Sequence, residues 1–232
     1  MTIQILPTDL LIIVDPQNDF CAGGTLAVPG GEDIMEGVSQ LAEHFYDLGA
    51  PVVVSQDWHP VEHESFASNH PGGVPFTKGK VGSLDNQDLW PDHCVQGTPG
   101  GAFHPKVLRA VTLASMIVRK GMKSDVDSYS AFRDNDMKTP TGLGGWMREM
   151  REATRVRRVF VVGLAYDFCV GWTALDAAEY PNDAVYVVKD LTRAINMPIP
   201  AVGELPATTT VEAIERRFHE AGVRIIDSTD LV

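Results

Sequence analysis

A chain of 232 residues with 44% hydrophobic and 22% charged content is long enough for one sizeable core and has the make-up of an ordinary globular protein. Its formal net charge of −12 sets its field against polyanions, which excludes nucleic acid and an anionic membrane as partners. Three widely spaced cysteines, Cys21, Cys94 and Cys169, form neither a CxxC pair nor a disulfide framework. No stretch reaches the ~20 apolar residues of a membrane span, and the opening MTIQILP has no secretory pattern. A cytoplasmic location is expected.

In chain order, short apolar runs at 10–14, 52–54, 115–118, 159–162, 184–188 and 223–226 are predicted as strands. They are continuous rather than alternating, as in strands buried on both faces of a parallel sheet. Helical spacing fills the gaps. The segment 31–48 places Ile34, Val38, Leu41 and Phe45 three and four residues apart and stops at Gly49. Further helices are predicted over 143–153, 168–180 and 209–221, the last closed by Gly222. Strands alternating with helices imply an α/β fold, a three-layer α/β/α doubly wound sheet of six mainly parallel strands. One domain over 1–232 is expected. It is interrupted at about 57–112 by a Gly-, Pro-, Asn- and His-rich insertion with little periodicity, long enough to suggest a functional loop.

Ligands of doubly wound sheets bind beyond the carboxyl ends of the strands. Asp15 follows the first predicted strand, Asp57 the second, Lys120 the third, and "GLAYDFCV" with Cys169 the fourth. Singly, each is more often a turn residue, a solvated cation or a buried small hydrophobe. Together on one rim they make an amide-hydrolysis apparatus. Cys169 near a helix N-terminus would have its pKa lowered, Lys120 would stabilise the thiolate, and Asp15 would carry the proton. The turn before the helix would offer the backbone N–H groups of Ala165 and Cys169 as an oxyanion hole. In "SQDWHPVEHESFASNH", Asp57 and His59 sit two residues apart, and His93 in "LWPDHCVQGTPG" is a third donor, with His63 and Ser65 as alternatives. Two histidines and a carboxylate suit zinc, iron or manganese.

Five stretches then occur in order: "DPQNDF" at 15–20, "DWHPVEHESFASNH" at 57–70, "LWPDHCVQGTPGGAFHP" at 89–105, "KG" at 120–121 and "GLAYDFCV" at 163–170. Together they resemble the nicotinamidase/pyrazinamidase branch of the isochorismatase-like cysteine hydrolases. The resemblance implies the isochorismatase-like hydrolase fold and hydrolysis of nicotinamide to nicotinate and ammonia in NAD salvage, with pyrazinamide accepted too. Asp15, Lys120 and Cys169 match the family's catalytic triad, with Cys169 forming a thioester. Asp57, His59 and His93 match ligands of one divalent ion, zinc foremost, with Ser65 or His63 close by directly or through water. Phe20 and Trp90 match aromatic walls around the pyridine ring, Tyr129 would close the pocket, and Leu164–Ala165 matches a cis peptide beside the substrate. The implied partner is the small molecule nicotinamide, and self-association into a homo-oligomer stays open. Two rivals remain: a related cysteine amidase acting on another small carbamoyl compound, and a non-catalytic nicotinamide- or metal-binding protein. The stretches 68–89 and 191–208 depart from the family pattern.

Overall fold

The structure, a computed structural model, describes residues 2–154, 156–180, 183–203 and 206–232. In chain order the elements are β1 (Asp9–Val14), α1 (Met35–Asp47), β2 (Val52–Asp57), β3 (Lys78–Val81), β4 (Leu84–Asp88), α2 (Leu108–Leu113) and β5 (Met116–Lys120). There follow α3 (Leu143–Thr154), β6 (Arg158–Leu164), α4 (Gly171–Ala178), β7 (Ala184–Arg193), β8 (Pro198–Ile199), β9 (Thr208–Thr209), α5 (Thr210–Ala221) and β10 (Arg224–Ile226). Among the described residues no helix is long and apolar enough to cross a membrane.

Six strands form one sheet in the order β10-β7-β6-β1-β2-β5. Every pairing in it is parallel, with Ile12 of β1 opposite Val53 of β2 and Val161 of β6. All six residues of β1 are buried, as the unbroken apolar run requires. Alternate residues feed different cores because side chains along a strand point to opposite faces. Leu11 and Ile13 join Val38, Phe45 and Ala110 under α1 and α2, whereas Leu10, Ile12 and Val14 join Leu143, Ala174, Ile214 and Phe218 under α3, α4 and α5. Burying a side chain of this size is worth about 1.5–3 kcal/mol, so the two cores dominate the stability of the sandwich.

Each predicted strand is present, extended by up to five residues where polar ends continue the ladder, as at Ser55–Asp57 and Lys189–Arg193. Three expectations are corrected. The insertion is not irregular throughout, because it contains the antiparallel β3–β4 hairpin and the short helix α2. The helix expected from 31 begins as a tight 3-10 turn over Gly31–Ile34. The helix expected from 168 begins as a π turn over Tyr166–Val170 that runs into α4. Within the stretch 191–208, a two-residue pairing of β8 with β9 leads into α5, and residues 204 and 205 lie outside those described.

Candidate active site

The chain leaves β1 for β2 and β5 on one side, and later returns to lay β6 on the other side of β1. This reversal opens a crevice at the carboxyl ends of β1 and β6. Asp15 follows β1, Asp57 ends β2, Lys120 ends β5 opposite Asp57, and Ala165 follows β6. The cleft there is lined by Phe20, Leu26, Asp57, Trp90, His93, Asp127, Tyr129, Ala165, Phe168, Cys169 and Ile195.

Lys120 is the hub of this crevice. Its side chain is wholly buried, and Nζ lies 2.9 Å from Asp15 Oδ2, 3.1 Å from Asp57 Oδ1 and 3.4 Å from Cys169 Sγ. It also donates to the Ser128 carbonyl at 2.7 Å. A buried ammonium is tolerated only where acceptors replace water. Burial alone would depress its pKa, but Asp15 and Asp57 outweigh that and push it well above the ordinary lysine value. Lys120 therefore stays a cation and joins the carboxylate of the expected catalytic group to that of the expected metal group.

Asp15 stands at a φ of 45°, a conformation costly for a residue with a side chain. The Ser55 hydroxyl donates to Oδ1 at 2.6 Å and accepts from the Asp15 N–H at 3.1 Å, which locks the carboxyl in place. Oδ2 receives no hydrogen bond among the described residues, although Lys120 stands at ion-pair distance. Burial raises the Asp15 carboxyl above its ordinary value against the opposing pull of Lys120, with Asp57 adding to the rise. A carboxylate raised in this way is a stronger base than an ordinary one, which suits it to take up and return a proton.

Cys169 corrects one expectation. It lies inside the π turn, and burial pushes its thiol well above the ordinary value despite Lys120. Burial disfavours the thiolate, so its activation calls for a proton acceptor as well as a cation. Ala165 and Cys169, whose backbone N–H groups were expected to serve an oxyanion, both line the cleft, and the Leu164–Ala165 peptide is cis. Leu164 is the second correction: its side chain is fully buried in the core under α1, close to Gly31, and is not part of the cleft wall.

Asp57, His59 and His93 present ligand atoms that all lie within 4.8 Å of one another, and all three residues are buried. Asp57 Oδ2 is 3.0 Å from His59 Nε2 and 3.4 Å from His93 Nε2. Each ring turns its other nitrogen to a main-chain carbonyl, His59 Nδ1 to Gly121 at 2.9 Å and His93 Nδ1 to Pro91 at 2.8 Å. A carbonyl only accepts, so Nδ1 carries a proton in each ring, and Nε2, which faces Asp57 here, is the nitrogen that would bind a metal once it gives up its own proton. The Gln17 amide supports Asp57 from behind, accepting from its N–H at 2.7 Å and donating to its carbonyl at 2.8 Å. Burial alone would raise the Asp57 carboxyl, yet His59 and Lys120 hold it well below the usual range, so it stays anionic. This donor set fits a divalent cation of borderline character.

The two alternative ligands are occupied otherwise. His63 Nδ1 lies 2.7 Å from Ser65 Oγ and accepts from the Ser65 N–H, while Nε2 points to the Val126 carbonyl at 3.2 Å. Burial lowers the His63 pKa to about 4, which keeps the ring neutral. His63 does group with His59 and Asp127 at ligand-to-ligand distances.

Phe20, Trp90 and Tyr129 line the cleft as expected. Phe168, which no spacing rule singled out, stands edge-on to Trp90 with ring centroids 5.0 Å apart. Asp127, Leu26 and Ile195 are further wall residues that were missed. Asp127 is one of two acids in "KSDVDSYS", and only its distance of seven residues from Lys120 could have marked it. Cys21 and Cys94 are buried and unpaired, as expected of structural thiols.

A family model described as the isochorismatase domain matches residues 9–229. A nicotinamidase of Acinetobacter baylyi is 44% identical over 187 residues, 81% of this chain and 82% of that protein. A solved nicotinamidase/pyrazinamidase of Acinetobacter baumanii superposes with a TM-score of 0.82 at 40% identity, covering 97% of this chain and 98% of that one. The pyrazinamidase of Pyrococcus horikoshii in complex with zinc gives a TM-score of 0.67 at 30% identity over 95% and 99% of the two chains. The chain belongs to the isochorismatase domain family, on its nicotinamidase/pyrazinamidase branch.

Proposed function

We propose that this protein is an amidohydrolase that converts nicotinamide and water to nicotinate and ammonia, and that it accepts pyrazinamide, in the cytoplasmic salvage of NAD. The observation that carries the reading is the position of Lys120 Nζ between Asp15, Cys169 and Asp57 at 2.9, 3.4 and 3.1 Å. One buried cation there aligns a proton acceptor, a nucleophile and a ligand set on a single aromatic cleft.

The steps follow from the groups. Asp15 takes the Cys169 proton while Lys120 steadies the sulfur as it becomes anionic, and Sγ attacks the carboxamide carbon. Backbone N–H groups of Ala165 and Cys169 take the charge that develops on the carbonyl oxygen. Asp15 returns the proton to the leaving nitrogen, which departs as ammonia and leaves a thioester on Cys169. A water then gives one proton to Asp15 and attacks that thioester; the C–S bond breaks, Asp15 passes its proton to the departing sulfur, and the acid loses its remaining proton to solvent and leaves as nicotinate. When bound at Asp57, His59 and His93, a divalent ion, which we take to be zinc, supplies a Lewis-acid contact for the ring nitrogen that orients the substrate. Phe20, Trp90, Tyr129 and Phe168 exclude water from the ring.

An ammonia-release assay tests this reading, with nicotinamide run beside benzamide, which lacks the ring nitrogen. Nicotinamide is expected to be turned over far faster, and Cys169→Ala to abolish release while retaining measurable nicotinamide binding. Equal rates on the two amides, or substantial turnover by the alanine variant, would refute the reading.

A further inference from the structure

The cleft beside Cys169 is narrow and walled largely by buried aromatic side chains, so the way in from solvent passes the wall residue that gives most easily. Among the aromatic walls Phe20, Trp90 and Phe168 are buried, and only Tyr129 is partly exposed. The same Tyr129 also lines a separate outer chamber of about 230 Å³, together with Lys78, Gln87, Asp88 and Trp172. Its side chain is thus the partition between the chamber and the catalytic cleft.

Both ends of Tyr129 are tied to the β3–β4 hairpin. Its hydroxyl donates to Asp88 Oδ2 at 3.2 Å and accepts from Trp90 Nε1 at 3.3 Å. Its N–H donates to Asn135 Oδ1 at 3.0 Å, and Asn135 Nδ2 donates in turn to Gln87 of β4 at 3.2 Å. Asp88 is charge-matched by Lys78 on the partner strand at 2.6 Å. The hairpin itself is largely exposed and is rooted by the small cluster Ala67, Val81 and Leu89, separate from the two main cores. Segments with so few buried apolar contacts open at lower cost than the body of a fold.

We propose that Asp88 is a positioning residue that holds Tyr129 across the mouth of the cleft, and that a small aromatic amide passes from the outer chamber to Cys169 when the Asp88–Tyr129 hydrogen bond breaks. The hairpin is the lid, and Asp88 is its latch. Only the identity of the passing molecule rests on the function proposed above. The latch itself is read out by access to the thiol, which needs no turnover.

The test labels Cys169 with N-ethylmaleimide, locating the label by peptide mass spectrometry. The labelling rate is divided by the thiolate fraction of Cys169, read from ultraviolet thiolate absorbance against Cys169→Ala, so that the corrected rate reports access. Loss of one charge-assisted hydrogen bond corresponds to about a tenfold shift in the opening equilibrium, so Asp88→Ala should raise the corrected rate by about tenfold. Tyr129→Phe, which loses the same hydroxyl and keeps the ring, should raise it similarly, and the double variant should add nothing further. A wild-type corrected rate in Asp88→Ala, a wild-type corrected rate in Tyr129→Phe, or effects that multiply in the double variant would each overturn the latch. Should Asp88→Ala fail to fold, the conservative Tyr129→Phe carries the test alone. Wild-type protein that fails to hydrolyse nicotinamide, in a set of variants that shows these labelling rates, would sink the proposed substrate and leave the latch standing.

Discussion

Gly121 illustrates how much of the site depends on single residues placed behind the ligands. It adopts a φ of +62°, and an added Cβ would stand 2.3 Å from His59 Cε1. Its carbonyl meanwhile takes the His59 Nδ1 proton. Gly121→Ala should therefore both strain the turn and push the imidazole off Asp57. Outer-shell changes of this kind commonly cost about 10–100-fold in metal affinity, and the same loss is expected here by competition with a chromophoric chelator. An unchanged affinity would show that His59 is not a ligand. Residue identity alone could nominate Asp57, His59 and His93, because two histidines and a carboxylate near strand ends have a defined coordination chemistry. It could not exclude Leu164 or find Phe168, since which of several apolar neighbours faces a cleft is settled by the turn that carries them. Nor could it foresee that burial would override the nearby ammonium at Cys169.

At the scale of elements, α5 braces the turn that carries the nucleophile. Ile214 packs so closely on Gly171 that a Cβ there would meet it at 2.5 Å. Glu215 of α5 accepts from the Tyr166 hydroxyl at 2.9 Å and from Lys189 Nζ at 2.7 Å. Burial by itself would raise the Glu215 carboxyl, but Lys189 and Tyr166 prevail and hold it below its ordinary value of 4.5. The folded protein thus favours the ionised form. This contribution is fully present above pH 4.5, where the unfolded chain is also ionised, and is lost as pH falls through the lower folded value. The melting temperature of Glu215→Gln should lie below that of the wild type at neutral pH, and the gap should close on acidification. A gap that widened in acid would reverse the assignment. The helices and buried strands were readable because periodicity reports burial directly. The β3–β4 hairpin was not, since "KGKVGSLDNQD" is polar on both faces and carries no alternation for a pattern rule to detect.

For the whole molecule, the sheet order brings the ends of β1, β2, β5 and β6 to one rim, and the ligand set joins β2 and the 89–95 segment. A cation bound there links parts of the chain far apart in sequence and binds the folded state alone. Linkage then predicts stabilisation of about 2.7 kcal/mol at a free metal concentration 100 times the dissociation constant. Thermal unfolding with zinc and with excess chelator should show the loaded protein melting higher, and His59→Ala should remove the difference. Identical melting with and without the ion, in a protein shown to bind it, would mean that binding is not coupled to this fold.

The sequence by itself determined the layered α/β architecture, because continuous apolar runs can be satisfied only between two layers of helices. It also nominated Asp15, Lys120 and Cys169 as a reactive group and three candidate ligands, because their side-chain chemistry is rare in combination and their motifs stand at strand ends. Only the tertiary structure decided that Lys120 joins the two groups, that His63 turns both nitrogens to Ser65 and the Val126 carbonyl, and that the Tyr129 hydroxyl is held by Asp88. Those are relations between residues 41 to 105 positions apart or, for His63 and Ser65, across a turn. They depend on register, rotamer and burial, which no local pattern encodes.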